Sequence, residues 1–197
     1  AFKLLEEIDA HLEGWEADIS VIIINDASLD KRPFNTPLLK NLKSIHVVNM
    51  KKNKGHARCN AAGLKYIDKK EDFDFVIVMD GDGEDRPAEL GTLLCKGYEN
   101  PDKVITADRV KRSEGLFFKF CYFTHKFLTF VFTGKSIKFG NYSCLPKFAV
   151  NMMIKEPATW SSFSGSLAKT IQNRESIPST RGERYFGPSK MSFFNLL

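Results

Sequence analysis

The chain has 197 residues, 43% of them hydrophobic and 27% charged, a composition that supports one domain with its own core. It excludes a disordered tail, a collagen-like fibre and a disulfide-stapled miniprotein. The net charge of +5 hides an asymmetry: residues 1–100 carry 14 Lys+Arg against 18 Asp+Glu, and residues 101–197 carry 15 against 6. An acidic half joined to a basic half suggests one part that holds a cation and another that faces phosphates or an anionic surface. Uneven solvated charge is the competing reading.

The elements follow in chain order. Phe2, Leu5, Ile8 and Leu12 keep helical spacing. Ile19 to Ile24 is a β-branched run suited to a strand buried on both faces, and it stops at the polar turn Asn25-Asp26-Ala27-Ser28-Leu29-Asp30. Pro37 reads as the first position of a short helix, and Ser44 to Val48 as a second strand. Gly55 precedes a helix over about 57–67, and Phe73 to Met79 reads as a third buried strand. That strand runs into Asp80-Gly81-Asp82-Gly83-Glu84-Asp85-Arg86-Pro87, with Pro87 opening another helix, and Lys103 to Ala107 reads as a fourth strand.

Strands alternating with helices predict an α/β fold with a mainly parallel sheet covered on both faces. Ligands of such sheets bind beyond the strands' carboxyl ends, so the two polar turns should line one crevice. A doubly wound domain rarely begins with a crossover helix, so a further strand is expected ahead of the chain. The four cysteines (Cys59, Cys95, Cys121, Cys144) form no Cys-x-x-Cys pair, and are read as reduced, packed thiols. Asn141-Tyr142-Ser143 matches the N-glycosylation pattern and is read as chance. No signal-peptide pattern and no run of 18 uncharged apolar residues occurs.

The turn from Asp80 to Asp85 places four carboxylates within six residues. Their repulsion raises pKa values unless a cation neutralises them. Hard oxygen ligands suit Mg²⁺ or Mn²⁺, and the glycines let the backbone turn around the ion. An EF-hand would need Gly at its sixth place and Glu at its twelfth; counted from Asp80 these are Asp85 and Gly91, so that reading fails. The bland alternative is a solvated acidic cap on the following helix.

An apolar strand ending in Asp-x-Asp, followed by an acidic residue and Pro, resembles the nucleotide-sugar site of family 2 glycosyltransferases with the GT-A fold. Three segments agree in order. Asn25 to Asp30 resembles the family's Asp-Asp-x-Ser-x-Asp turn, with Asn in the first place. Asn53-Lys54-Gly55-His56-Ala57-Arg58-Cys59-Asn60-Ala61-Ala62-Gly63 resembles its Asn-x-Gly-x-x-x-Ala-x-x-x-Gly helix start, with Cys at the Ala place. Arg181-Gly182-Glu183-Arg184-Tyr185-Phe186-Gly187-Pro188-Ser189-Lys190 resembles the Arg…Gly-x-Ser-Lys closure of the polyprenyl-phosphate glycosyltransferase branch, the dolichol-phosphate mannose synthase-like one.

The resemblance implies a single catalytic domain over 1–197, with a nucleotide-sugar-binding half over 1–107 and an acceptor-binding half over 108–197. Asn25, Asp26, Ser28, Asp30, Asn53 and Gly55 would contact a UDP- or GDP-linked donor, together with Asp80. Asp80 and Asp82 would hold the cation, with Glu84 a possible third ligand, and Asp82 would thereby assist catalysis. Arg109, Lys111 and Arg112 follow the fourth strand and would clamp donor or acceptor phosphate, Arg109 and Arg112 as catalytic groups; the tail with Arg181, Arg184, Ser189 and Lys190 would fold over the diphosphate. For both basic clusters the competing reading is solvated charge. Inversion at the anomeric carbon is what the family implies.

No Glu-Asp pair of the kind that processive synthases carry occurs after Asp85. A phosphate acceptor is already ionised and needs no general base, which favours a lipid phosphate. Leu116 to Thr133 is rich in Phe, broken by Lys119, His125 and Lys126, and suits either a helix in the headgroup region or one packed on the sheet. The resulting expectation is transfer to a polyprenyl phosphate at the cytosolic membrane face. Hydrophobic anchoring helices are expected beyond Ser189-Lys190, and no nucleic-acid partner. The rivals are a nucleotidyltransferase of related fold and a non-enzymatic module binding Ca²⁺ and lipid.

Overall fold

The computed structural model describes residues 2–28, 39–110 and 139–185. Its elements are α1 (Phe2–His11), β1 (Ser20–Asn25), β2 (Ser44–Asn49), α2 (His56–Lys70), β3 (Phe75–Val78), a 3₁₀ turn (Pro87–Glu89) leading into α3 (Leu90–Glu99), β4 (Val104–Arg109) and β5 (Phe139–Pro146). After these come α4 (Lys147–Lys155), a second 3₁₀ turn (Pro157–Trp160), α5 (Phe163–Thr170) and β6 (Arg174–Ser179). The helix expected at Pro37 and the Phe-rich segment 116–133 lie outside the described residues.

β1 and β2 pair in parallel, from Ser20 opposite Ser44 to Asn25 opposite Asn49. The other strands form one sheet in the order β3-β5-β4-β6. The parallel expectation holds for β1–β2 and β4–β6. β5, however, lies antiparallel between β3 and β4, so that sheet is mixed. Its companion β6 was illegible for a related reason. Arg174-Glu175-Ser176-Ile177-Pro178-Ser179 is too polar to read as a strand, and its Pro is tolerated because β6 is outermost among the described strands of its sheet.

Two apolar layers cover the sheet. On one side Leu4, Ile8 and Leu12 pack with Leu90 and Leu93 of α3 against Ile105, Tyr142, Cys144 and Ile177. On the other, Leu64 of α2 joins Ala149, Val150 and Met153 of α4 and Phe163 and Leu167 of α5 against Val76, Val104 and Leu145. Alternate strand residues therefore feed opposite layers, as the pleat requires. This is an α/β sandwich of the GT-A, Rossmann-like kind.

β1 pairs only with β2, and β3 only with β5, among the described residues. Residues 19–24 and 73–79 instead line a cleft of about 1030 Å³, walled by Leu4, Leu5 and Ile8 on one side and Leu64 and Ile67 on the other. Apolar surface facing an open cleft gains none of the stabilisation of burial. A polypeptide of residues 1–197 alone is therefore expected to unfold over a broad transition at low urea and to bind the dye ANS before it unfolds. A steep two-state transition at high denaturant, with no dye binding, would contradict this.

Candidate active site

Two turns at strand ends and one strap build the site. The first turn follows β1. Asn25 ties it together: its Nδ2 donates to Asn49 Oδ1 at 2.8 Å and its Oδ1 accepts from Ser28 N at 3.1 Å. Asp26 then reaches to the start of α2. Its carboxylate accepts from Lys54 N at 2.7 Å and Gly55 N at 2.8 Å, while Asn53 Nδ2 donates to Asp26 O at 3.3 Å. Partial desolvation works to raise the Asp26 pKa, but the hydrogen bonds from Lys54, Gly55 and the Cys59 thiol outweigh it and hold the carboxyl below its ordinary value. Desolvation and the same carboxylate push the Cys59 thiol up to about 11, so it is protonated at neutral pH and unfit as a nucleophile. Of the sequence-predicted residues, Asp26, Asn53 and Gly55 thus form one hydrogen-bonded unit, Asn25 is bonded to Ser28 within its own turn, and Asp30 lies outside the described residues.

The second turn follows β3. Asp85 is buried, and its Oδ2 accepts from Asp80 N at 2.8 Å, which closes the turn on itself. Burial, and then the negative charges of Asp80 and Asp82, push its carboxyl up to about 6 against that hydrogen bond and the nearby Arg109 guanidinium. Asp82 Oδ1 accepts from Glu84 N at 3.0 Å. Asp80 Oδ1 accepts from Asn141 Nδ2 at 3.1 Å. Asn141, on β5, is a site residue that sequence reasoning missed, since only the strand pairing brings it beside Asp80. Its one sequence signal, the glycosylation pattern, pointed elsewhere.

The strap is residues 180–185, immediately after β6. Arg184 Nε lies 2.9 Å from Glu84 Oε1 and its terminal nitrogen 3.1 Å from Asp82 Oδ2, and Arg181 pairs with Glu84 Oε2. Main-chain bonds add to these: Gly182 N donates to Glu84 O at 2.8 Å and Tyr185 N to Asp82 O at 3.0 Å. The Tyr185 hydroxyl bonds Glu7 of α1, and desolvation followed by that contact pushes its pKa up to about 12. At the root of the strap, Arg86 donates to Thr180 Oγ1 at 2.6 Å and Thr180 N to Glu89 Oε1 at 3.1 Å.

Two glycines make this approach possible. Gly83 has φ of +91°, and a Cβ there would come within 2.6 Å of the Tyr185 ring. A Cβ on Gly182 would lie 2.5 Å from Gly83 O, backbone that cannot give way.

Asp26, Asn60, Asp80 and Gly81 all line the large cleft, so one end of each turn opens on the same cavity. Glu84 is drawn instead to the arginines, and among the described residues no three Asp, Glu, His or Cys side chains gather as a ready-made metal cage. Arg109, at the end of β4, sits with its guanidinium against Gly140, within electrostatic reach of Asp85. Lys111, Arg112, Ser189 and Lys190 lie outside the described residues.

The model of glycosyl transferase family 2 matches residues 3–159. The chain belongs to that family. It is 28% identical over 201 aligned positions to an undecaprenyl-phosphate 4-deoxy-4-formamido-L-arabinose transferase of Klebsiella pneumoniae subsp. pneumoniae, covering 99% of this chain and 59% of the relative. It is 26% identical over 200 positions to the protein of the same name from Proteus mirabilis, covering 99% and 60%. The chain therefore spans about three-fifths of the length of these curated relatives.

Two predictions follow from this family 2 site. Gly182→Ala should lift the strap from the acidic turn, at about 1–3 kcal/mol of stability, and raise hydrogen exchange at the Tyr185 amide; unchanged exchange would refute the packing described. Asp26→Ala should lower the thermal midpoint at neutral pH. Because the folded carboxyl lies below its unfolded value of 3.8, its stabilisation is present above that value and lost as pH falls through the folded one. Wild type and variant should converge on acidification.

Proposed function

We propose that this chain carries the catalytic machinery of a transferase that moves a sugar from a nucleotide-sugar donor, UDP- or GDP-linked, to a polyprenyl phosphate at the cytosolic face of a membrane. The observation that carries the reading is the shared cleft, where the Asp26 turn and the Asp80 end of the acidic turn meet. The relatives' printed names, which specify a sugar transferase acting on undecaprenyl phosphate, support the acceptor class. Among the described residues no helix is long and apolar enough to cross a membrane.

The chemistry of the donor set decides how a cation fits. Asp80 and Asp82 offer hard carboxylate oxygens; the amides Asn141 Nδ2 and Glu84 N orient them without neutralising, while Asp82 Oδ2 is also paired with Arg184. The two carboxylates fit Mg²⁺ or Mn²⁺ in character. Glu84, the third candidate, is ion-paired with two guanidiniums. A bound divalent ion would supply charge neutralisation for the departing nucleoside diphosphate.

The chain's own residues do the remainder. Asp26 and Asn53 orient the base and ribose through oxygen acceptors and an amide. Arg109, together with Lys111 and Arg112, holds phosphate by forked or point-charge contacts. An oxygen of the lipid phosphate attacks the anomeric carbon as its bond to the diphosphate breaks. Being ionised already, that oxygen needs no base.

Calorimetric titration with UDP and GDP, with and without Mn²⁺ or Mg²⁺, tests the reading. Wild type should bind nucleotide in a metal-dependent manner, and Asp82→Asn should weaken that binding at least about 100-fold, the loss of a charged ligand. Turnover of a nucleotide-sugar panel with polyprenyl phosphate then identifies the donor. Binding of Ca²⁺ and anionic vesicles without nucleotide preference would refute it in favour of a membrane module, and diphosphate release from a nucleoside triphosphate in favour of a nucleotidyltransferase.

A further inference from the structure

The positive charge beside Asp82 and Glu84 belongs to the chain itself. We infer that the strap Arg181–Tyr185 is an internal counter-cation that competes with the divalent ion for the acidic turn, and that a nucleoside diphosphate releases it by accepting the two guanidiniums. The inference rests on the metal reading proposed above and goes beyond it, because it assigns the order of events and the residues that enforce it.

The geometry carries the competition. Arg184 bridges both Asp82 and Glu84 at 3.1 and 2.9 Å, and Arg181 takes the remaining Glu84 oxygen. Two cations thus balance two carboxylates. The Glu84 side chain is only 13% exposed, so removing its partners leaves a charge that water reaches poorly, which is unfavourable. An ion arriving alone at Asp82 would face two guanidiniums it repels, and driving them off would strand both them and Glu84. A nucleoside diphosphate would change this balance, since its oxygens would accept the guanidinium forks while the ion would neutralise the vacated carboxylates of Asp82 and Glu84. The exchange is one of ion pairs; no covalent bond changes.

The strap is fastened separately from its root. It is held to the turn by two main-chain hydrogen bonds, from Gly182 and Tyr185, and to α1 by the Tyr185–Glu7 contact and by Lys3, 4.7 Å from the Tyr185 ring centre. Its root at Thr180 is fastened independently by Arg86 and Glu89. A hinge beyond Thr180 would therefore free the arginines and leave the sheet intact.

Diphosphate bridging by the ion would by itself couple the two ligands, so the decisive comparison is between wild type and Arg184→Gln. Mn²⁺ binding is read by electron paramagnetic resonance with and without UDP or GDP, and by hydrogen exchange over residues 180–185. In wild type, Mn²⁺ alone should bind weakly and leave the Gly182 and Tyr185 amides protected, and only ion and nucleotide together should deprotect them. Arg184→Gln should bind Mn²⁺ alone on the order of tenfold more tightly and show a coupling between ion and nucleotide smaller by a similar factor. Arg181→Gln, which spares the Asp82 pair, should do the same to a lesser degree and serves if Arg184→Gln folds poorly. Unchanged Mn²⁺ affinity in both variants, or a strap that stays protected with both ligands bound, would overturn the inference. No Mn²⁺ binding by any form, even with nucleotide, would instead overturn the metal reading on which it rests.

Discussion

Four carboxylates following one apolar strand must be neutralised, and the rest of this structure is arranged around how that is done. Asp85 is buried and accepts the Asp80 amide, with its carboxyl pushed up to about 6. Asp80 is steadied by the neutral amide of Asn141. Asp82 and Glu84 are balanced by arginines that arrive from about 100 residues further along the chain. The four acids therefore occupy three different electrostatic environments.

The fold supplies the convergence. β3, β4 and β6 point the same way, because β5 opposes both β3 and β4 and β6 parallels β4. Their carboxyl ends therefore deliver the acidic turn, Arg109 and the strap to one edge of the sheet. The antiparallel β5 brings Asn141 to the same edge at its amino end. β1 contributes Asp26 from the second, two-stranded sheet, and the cleft between the sheets is where Asp26 and Asp80 meet.

The first half of the chain was legible because its strands are short, largely β-branched runs and its turns are punctuated by Gly, Pro and Asp. α1, β1, β2, α2, β3 and β4 fall within a few residues of their expected places. The second half was not. β5 contains Gly140 and Asn141 and ends in Pro146, and β6 contains Pro178; each offends a propensity that pairing overrides. The helices α4 and α5 were also unread, although the buried Ala149, Val150 and Met153 of α4 keep helical spacing.

By itself the sequence determined which groups are available: a run of carboxylates after an apolar strand, an Asp–Asn–Gly set around the next helix start, and a basic tail. Those are local properties, set by side-chain chemistry and short spacing. Which acid meets which base was decided only by the tertiary structure. Glu84 and Arg184 are 100 residues apart, and spacing along a chain holds no information about contacts that the order of strands in a sheet creates. The fate of Glu84 shows the difference: its position in the turn suggested a metal ligand, whereas the path of the chain beyond β6 brings it two arginines.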